Sequence, residues 1–211
     1  MKNLLFVSAS LAGKQSRSGQ VARELLASLE AEHGRLNLVE RDLGDAAIRH
    51  LNGEYLQAIA TAPIHRTPRQ QQLARVGDAL IEELEAADVV VIAAPMYNFA
   101  IPSTLKAWFD HVMRAGRTFR YTEEGQPQGL LKDKKVYVVA SRGGIYSGDS
   151  PAKALDFQEP YLRAVLAFIG LNDVTFVRVE GQRISPAEAE AGLQRAREAL
   201  GRILPHRRAA A

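Results

Sequence analysis

The chain has 211 residues, of which 46% are hydrophobic, with a formal net charge of +3 and no cysteine. This composition suits one domain with a full core, excludes disulfides and thiolate chemistry, and is compatible with a reducing compartment, so we expect a cytoplasmic protein. Basic residues interleave with acidic ones, which argues against a nucleic-acid partner. The sequence shows neither a signal peptide nor an apolar run near the ~20 residues that span a bilayer, so we expect no membrane partner.

The first strands and helices follow from short apolar runs and helical spacing. Residues 4–8 and 36–42 predict strands one and two, the second nearer a sheet edge because its apolar residues alternate. A helix is expected at residues 19–33 and a short one at 55–60. Thr67, followed by proline and by glutamine three residues on, forms a capping box that starts the next helix.

Strand three is the centre of the predicted sheet. It begins at Val89 as a continuous β-branched run, typical of a strand buried on both faces, and ends at Pro95. Ser103 is expected to cap the helix that follows. Residues 116–134 predict a hairpin with its turn at the Glu-Gly pair.

The last third of the chain completes the alternation of strands and helices. Strands four and five are expected at residues 136–140 and 174–179, with a helix at 161–170 between them. Ser185 opens the final helix with a second capping box. Five strands alternating with helices predict an α/β fold: a doubly wound parallel sheet, commonly in the order 2-1-3-4-5, with helices on both faces.

This strand order brings three loops to one crevice. Strands one and three flank the topological switch point, so the loops after strands one, three and four converge there. These loops also have the most unusual sequences of the chain. We expect residues 1–204 to form one domain and residues 205–211 to form a frayed tail.

The loop after strand one carries hydroxyls and a cation: Ser10, Ser16, Arg17 and Ser18. Placed before a helix, they point with its exposed N–H groups to an anion site; a serine-rich turn with one N-cap is the alternative. No Gly-x-Gly-x-x-Gly or Walker lysine pattern follows the strand, which argues against a Rossmann dinucleotide site and a nucleotide hydrolase.

The two later loops have the character of walls around a flat ligand. The loop after strand three is apolar and aromatic and lies between two prolines that fix its backbone; simple core packing is the alternative. The loop after strand four has paired glycines, which let a backbone approach a ring closely, although such a pair is often only a turn. The candidate residues of these loops are Met96, Tyr97, Asn98, Phe99, Ser141, Arg142, Gly143 and Gly144.

Together these three loops resemble the FMN-dependent NADH azoreductase and quinone reductase family. Supporting similarities are the Thr-Phe-Arg-Tyr segment at residues 118–121 and the Phe-Ile-Gly turn at 168–170. The resemblance covers nearly the whole chain. It implies a flavodoxin-like homodimer with one FMN per subunit near the interface.

The resemblance also implies an activity and a set of contacts. NADH or NADPH would pass a hydride to FMN, and a quinone or azo compound would then take it by a ping-pong mechanism, with no catalytic acid or base among the side chains. Ser10 and residues 16–18 would hold the phosphate. Residues 96–99 would line the isoalloxazine ring, and residues 141–144 would contact its polar edge.

Three aromatic residues are candidate walls of the substrate pocket: Phe119, Tyr121 and Tyr146. For Phe119, packing within the hairpin is the alternative. Tyr146 is a departure from the family pattern, because many members have histidine at this position. The resemblance therefore gives an aromatic wall here and no imidazole to donate a proton.

Other functions have weaker support in the sequence. A flavodoxin-like electron carrier usually has an acidic surface, and a flavin-free binding module would not need the apolar loop after strand three. A serine hydrolase is suggested by Gly148, Asp149 and Ser150, but that block does not follow strand one and lacks a late Asp-x-x-His. The five histidines show no paired spacing, so no metal is expected.

Overall fold

The structure is a computed structural model that describes residues 1–46 and 48–204. Its strands are β1 (Asn3–Ser8), β2 (Asn37–Asp42), β3 (Val89–Pro95), β4 (Phe119–Tyr121), β5 (Pro127–Gly129), β6 (Lys135–Ser141) and β7 (Asp173–Val179). Its α-helices are α1 (Arg17–His33), α2 (Gly53–Ala60), α3 (Pro68–Ala86), α4 (Ser103–Val112), α5 (Gln158–Phe168) and α6 (Pro186–Ile203). The expected tail at 205–211 lies outside the described residues.

Five parallel strands form one sheet in the order β2-β1-β3-β6-β7. Counted along the parallel strands alone, this is the order 2-1-3-4-5, so the predicted fold class is confirmed. The β-branched run makes β3 the central strand, buried along its whole length, and Pro95 is its last residue. The alternating β2 lies at the edge and is mostly exposed, as its sequence pattern predicts.

Two hydrophobic cores cover the two faces of the sheet. Val90 and Ile92 of β3 point to one face, where they pack with the apolar sides of α3, α4 and α5. Val89 and Val91 point to the other face, which α1 and α6 cover. This division follows from the period of two along a strand, and it accounts for the absence of polar alternation in β3.

The starts of the helices confirm two of the three predicted caps. Thr67 accepts a hydrogen bond from the Gln70 backbone, and the Gln70 side chain accepts one from the Thr67 backbone, which completes the capping box. Ser185 accepts a backbone hydrogen bond at the start of α6, which confirms the N-cap, but the described contacts lack the reciprocal side-chain bond of the predicted second capping box. Ser103 as a cap is wrong: Pro102 holds the N-cap position, because its extended backbone ends just before the helix, and Ser103 is the first helical residue.

The predicted hairpin is formed by β4 and β5, which pair antiparallel. Its base packs closely on the end of α5: the ring centroids of Phe119 and Phe168 are 4.7 Å apart. A Cβ atom at Gly129 would lie only 2.1 Å from the backbone nitrogen of Gly170. The helix ends at Phe168 and not at Gly170 as predicted, because Gly170 has a φ of 96° and leaves the helical conformation.

The weakly patterned segment before α3 is anchored by side chains from distant parts of the chain. The Tyr55 hydroxyl accepts a hydrogen bond from Arg114 at 2.8 Å, and Arg114 is paired with Asp78. Burial raises the pKa of Tyr55, although the neighbouring Arg114 acts in the opposite direction. Gly77 lies directly against the Tyr55 hydroxyl and leaves no room for a Cβ atom. None of the described helices is long and apolar enough to cross a membrane.

Candidate functional site

A cavity of about 220 Å³ lies at the carboxyl edge of the sheet, where the predicted loops meet. Four segments surround it: the β1 loop (residues 9–16), the β3 loop (96–102), the β6 loop (142–150) and the β7 loop (180–185). The predicted residues that line it are Ser10, Ser16, Arg17, Met96, Tyr97, Ser141, Arg142 and Gly143. The strand order therefore brings the three sequence segments together, as expected.

The β1 loop leads into the N-terminus of α1 through a serine cap. The Ser16 hydroxyl accepts a hydrogen bond from the Gly19 N–H at 3.0 Å and lies 3.2 Å from the hydroxyl of Ser18. Ser18 is fully buried beneath the cap, so it supports the loop and does not line the cavity. The N–H groups of Arg17 and Ser18 belong to the first turn and have no intrahelical acceptor. This combination favours an anion.

The charges around the cavity favour an anion as well. Arg17 and Arg183 both line it, and within the described chain neither forms a salt bridge. No described Asp or Glu lines the cavity. With uncompensated guanidinium groups and the positive end of a helix on its walls, the cavity is electropositive.

The β3 loop folds back on itself in a tight turn. The N–H of Tyr97 donates to the carbonyl of Ala100 at 3.0 Å, and the reverse bond measures 3.1 Å. Asn98 and Phe99, at the tip, have φ angles of 48° and 70°. A bulky side chain rarely adopts this left-handed backbone, so Phe99 carries strain of the kind found at functional sites. The Tyr97 hydroxyl accepts a hydrogen bond from the Leu11 N–H at 3.1 Å, which joins the β3 and β1 loops.

An aromatic pair stands next to the cavity. The rings of Phe99 and Tyr146 meet edge to face with centroids 6.5 Å apart, and Phe99 is 43% exposed. Asn98, Phe99 and Gly144 do not line the cavity itself; they lie just beyond it in the β3 and β6 loops. The cavity therefore lies beside an exposed aromatic rim.

Arg142 is a supporting residue with a buried guanidinium. Its side chain is fully buried and donates to Gln158 at 3.0 Å and to Glu180 at 3.2 Å. It also forms ion pairs with Asp156 at 3.0 Å and Glu159 at 3.4 Å. These partners occupy the guanidinium N–H groups, so the charge of Arg142 is used within the protein.

Glu159 remains ionised within this cluster. Burial acts to raise the pKa of Glu159, but hydrogen bonds from Arg178 and Arg163 outweigh it and hold the pKa below its usual value. The buried charge of Arg142 is therefore balanced by carboxylates, as buried charges must be.

A family model described as the flavodoxin-like fold matches residues 2–204 of the chain. An FMN-dependent NADH:quinone oxidoreductase of Herminiimonas arsenicoxydans is 43% identical over 205 residues, which cover 97% of this chain and the whole of that protein. A second, FMN-dependent NADH:quinone oxidoreductase 3 of Pseudomonas aeruginosa, is 45% identical and covers 97% of this chain and 93% of that protein. The chain belongs to the family of FMN-dependent NADH:quinone oxidoreductases, within the flavodoxin-like fold.

Solved structures agree with the family assignment. An azoreductase from Bacillus anthracis superposes with a TM-score of 0.88 at 29% identity, covering 98% of this chain and all of that one. An FMN-dependent NADH-azoreductase from Bacillus anthracis in complex with FMN has a TM-score of 0.83 at 25% identity, covering 96% and 99%. The resemblance inferred from the loop sequences is thus confirmed, together with the flavodoxin-like fold.

Two of the aromatic residues predicted for the substrate pocket, Phe119 and Tyr121, do not line the cavity. Phe119 and Tyr121 belong to the hairpin, which packs on the end of α5 and therefore lies at the amino edge of the sheet. Phe119 is wedged between Phe168 and Tyr121, whereas Tyr121 is 61% exposed. Their place in the substrate pocket stays a prediction.

The sequence interpretation missed the β7 loop. Gln182 and Arg183 line the cavity, and the Arg183 stem lies about 3.5 Å from where a Cβ of Gly143 would be. A signal was present, because strand five neighbours strand four in the predicted order, so its loop must end at the same edge. Gly181, with a φ of 77°, turns the chain there.

The serine of the hydrolase alternative has a structural role. The Ser150 hydroxyl donates to the Ile145 carbonyl at 2.6 Å and accepts from the Ala152 N–H, capping a short 3₁₀ turn. Among the described residues, no cluster of three or more histidines and carboxylates is arranged to hold a metal. His111 is buried, its Nε2 lies 2.9 Å from the Arg49 carbonyl, and burial lowers its pKa.

Proposed function

We propose that the chain is an FMN-dependent oxidoreductase that takes a hydride from NADH or NADPH and passes it to quinones and azo compounds. The observation that carries this proposal is an electropositive cavity at a helix N-terminus, placed beside an exposed aromatic wall. Its support is the identity of 43–45% to relatives named FMN-dependent NADH:quinone oxidoreductases. When bound, FMN supplies the two-electron chemistry, and the protein supplies binding and orientation.

The phosphate of FMN fits the α1 end of the cavity. Ser10, Ser16 and the N–H groups of the first turn offer donors, and Arg17 offers a guanidinium for bidentate contact. Charge-assisted hydrogen bonds contribute roughly 1.5–3 kcal/mol each, so a few of them suffice to anchor the nucleotide. The absence of carboxylates from the described lining means that nothing there repels a dianion.

The isoalloxazine ring fits the rim between the β3 and β6 loops. Met96, Tyr97 and Phe99 would form an apolar wall. At the tip of the turn, Asn98 and Phe99 would each present a backbone N–H group to the ring. Ser141, Gly143 and Gly144 would contact the polar edge of the ring with backbone groups, and Arg142 would hold this loop in place. Fixed backbone donors of this kind stabilise negative charge on a reduced ring without reorganisation.

Tyr146 would cover the ring beside Phe99. A tyrosine is a flat apolar wall with a weakly acidic hydroxyl, so it stacks on or against the ligand and does not take the role of an imidazole. Because the rim residues described above include no histidine and no carboxylate, acceptor protons would come from water. One open face shared by nicotinamide and acceptor favours ping-pong kinetics.

We further propose a homodimer, because the site of one chain is incomplete. A cavity of about 220 Å³ is below the ~300–1,000 Å³ of typical ligand pockets. The exposed Tyr121 of the hairpin, far from the site of its own chain, is suited to cover the site of a second copy. Residues 1–204 would act as one functional domain, and a nicotinamide co-substrate favours a cytoplasmic location.

Binding and reduction of FMN test the proposed function directly. Purified protein titrated with FMN should quench flavin fluorescence, and anaerobic NADH alone should bleach the bound flavin. Arg17→Ala should weaken FMN binding about tenfold, since one charged hydrogen bond of at least ~1.4 kcal/mol is lost. Arg202→Ala, an exposed arginine at the far end of α6, is the matched control and should bind FMN normally.

The competing functions give different results in this experiment. An electron carrier would bind FMN but would need a separate reductase before NADH bleached it. Protein that stays colourless in excess FMN would exclude both flavoprotein functions. For the dimer, Tyr121→Ala should leave the FMN dissociation constant unchanged and raise the KM for a quinone; a fully active monomer in sedimentation would contradict it.

A further inference from the structure

A buried carboxylate joins the two ends of the glycine segment in the β6 loop. Glu180 follows β7 and is 7% exposed. Its Oε1 accepts hydrogen bonds from Nη1 of Arg142 at 3.2 Å and from the N–H of Tyr146 at 2.9 Å. Its Oε2 accepts a hydrogen bond from the hydroxyl of Ser147. One side chain therefore holds the residue before the glycines and the residues after them.

The glycines between these ends are held by backbone bonds on one side only. The carbonyl of Gly143 accepts from the Arg183 N–H at 2.9 Å, and that of Gly144 accepts from the Gly181 N–H at 3.0 Å. In the described chain, the N–H groups of the two glycines have no protein acceptor. The loop carbonyls are used in packing, and the loop N–H groups remain for a ligand.

The chemistry of the contact requires a carboxylate. Three donors converge on Glu180, and a carboxylate accepts with both oxygens, whereas an amide offers one oxygen and places an NH₂ group against a donor. A buried guanidinium such as that of Arg142 also needs a compensating charge. Glutamine in place of Glu180 would keep the size of the side chain but would release one end of the loop.

The other acids around Arg142 have a different task. Glu159 pairs with Arg142 but otherwise contacts Arg163 and Arg178, on the side of α5 and β7. Asp156 accepts hydrogen bonds from the first N–H groups of α5. Within the described chain, Glu180 is the acid that contacts both Arg142 and the loop beyond the glycines.

We propose that Glu180 is a positioning residue for FMN, acting through Arg142, Tyr146 and Ser147 to hold the N–H groups of Gly143 and Gly144 toward the cofactor. This inference rests on the proposed function. On this inference, the buried ion pairs around Arg142 contribute to the affinity and orientation of bound FMN as well as to folding. Because the contact is made through a loop, its loss changes how tightly and in what orientation FMN is held.

Paired variants in the full-length protein test this role. Glu180→Gln should raise the FMN dissociation constant at least tenfold and alter the visible circular dichroism of the flavin at saturating FMN. Glu159→Gln removes the same charge from the same guanidinium but leaves the loop contacts in place. Glu159→Gln should lower the melting temperature of the apoprotein about as much as Glu180→Gln does, but it should change the FMN dissociation constant less than twofold.

A milder variant keeps the test valid if Glu180→Gln does not fold. Ser147→Ala removes one hydrogen bond without a change of charge and should raise the FMN dissociation constant two- to fourfold, with the same direction of spectral change. Normal FMN binding and an unchanged flavin spectrum in Ser147→Ala, and in Glu180→Gln where it folds, would overturn the inference while leaving the proposed function intact. Wild-type protein that binds no FMN would instead overturn the proposed function.

Discussion

Two edge-to-face aromatic pairs stand at opposite edges of the same sheet, and they differ in what holds them. Phe99 and Tyr146, 6.5 Å apart, lie at the carboxyl edge beside the cavity. Phe119 and Tyr121, 5.8 Å apart, lie in the hairpin at the amino edge. Both pairs have the residue types of a pocket wall, so composition alone does not separate them.

The backbone separates the two pairs. Phe99 has a φ of 70° in a two-residue turn, and its side chain is partly exposed. The fold therefore holds this bulky residue in a backbone conformation that costs free energy. Phe119 lies in a regular strand and packs on Phe168 at 4.7 Å. A strained backbone beneath an exposed ring indicates a functional role, and an unstrained backbone beneath a packed ring indicates a structural one.

The largest expected effect separates the pairs by stability. Phe119→Ala should lower the free energy of unfolding by about 2 kcal/mol, because a half-buried ring leaves its contact with Phe168. The FMN dissociation constant should stay within about twofold, since the ring is far from the cavity. Urea denaturation measures the free energy of unfolding, and FMN titration measures the dissociation constant. A loss of FMN-binding free energy as large as the loss of unfolding free energy would show that the two edges of the sheet are coupled.

The next effect concerns strain at Phe99. Phe99→Gly and Phe99→Ala should both lower kcat/KM for a quinone about tenfold, because each removes a ring contact worth up to ~1.5 kcal/mol. Glycine adopts a φ of 70° freely and alanine does not, so the glycine variant should be about 1 kcal/mol more stable to urea than the alanine variant. Equal stabilities would show that this backbone is unstrained.

The smallest effect concerns the hydroxyl that joins the β3 and β1 loops. Tyr97→Phe removes the acceptor of the Leu11 N–H, worth about 1 kcal/mol, and should weaken FMN binding about fivefold. Tyr161→Phe is a matched control. Burial raises the pKa of Tyr161 to about 12, and its hydroxyl makes no hydrogen bond within the described chain. If both variants weakened FMN binding alike, the link between the loops would not matter.

Sequence patterns predicted the parts of the fold that depend on local chemistry. The continuous β-branched run of β3, the capping box at Thr67 and the hairpin turn each follow from a few neighbouring residues. Pro102 displaced Ser103 from the cap because two local signals competed, and the fixed backbone of proline decided the boundary. The segment before α3 could not be read, because Tyr55 depends on Arg114 and Asp78, which lie far along the chain.

The candidate site was predictable to the same degree. The three loops were found because strand order brings unusual sequences to one edge. Arg183 and Glu180 were missed because neither lies in a motif, and their importance comes only from what they meet in space. Arg142 was selected for its charge, but the structure uses that charge inside the protein, where four side chains surround it.

The close approach of Gly129 to Gly170 has a consequence for the hairpin as a projecting arm. Main chain lies against main chain there, with no side chain between them to flex or repack. The orientation of the hairpin is therefore fixed at its base, and residues at its tip can be exchanged without changing that orientation. A larger residue at either glycine would swing the whole arm off the body of the protein, however well its tip was suited to a target.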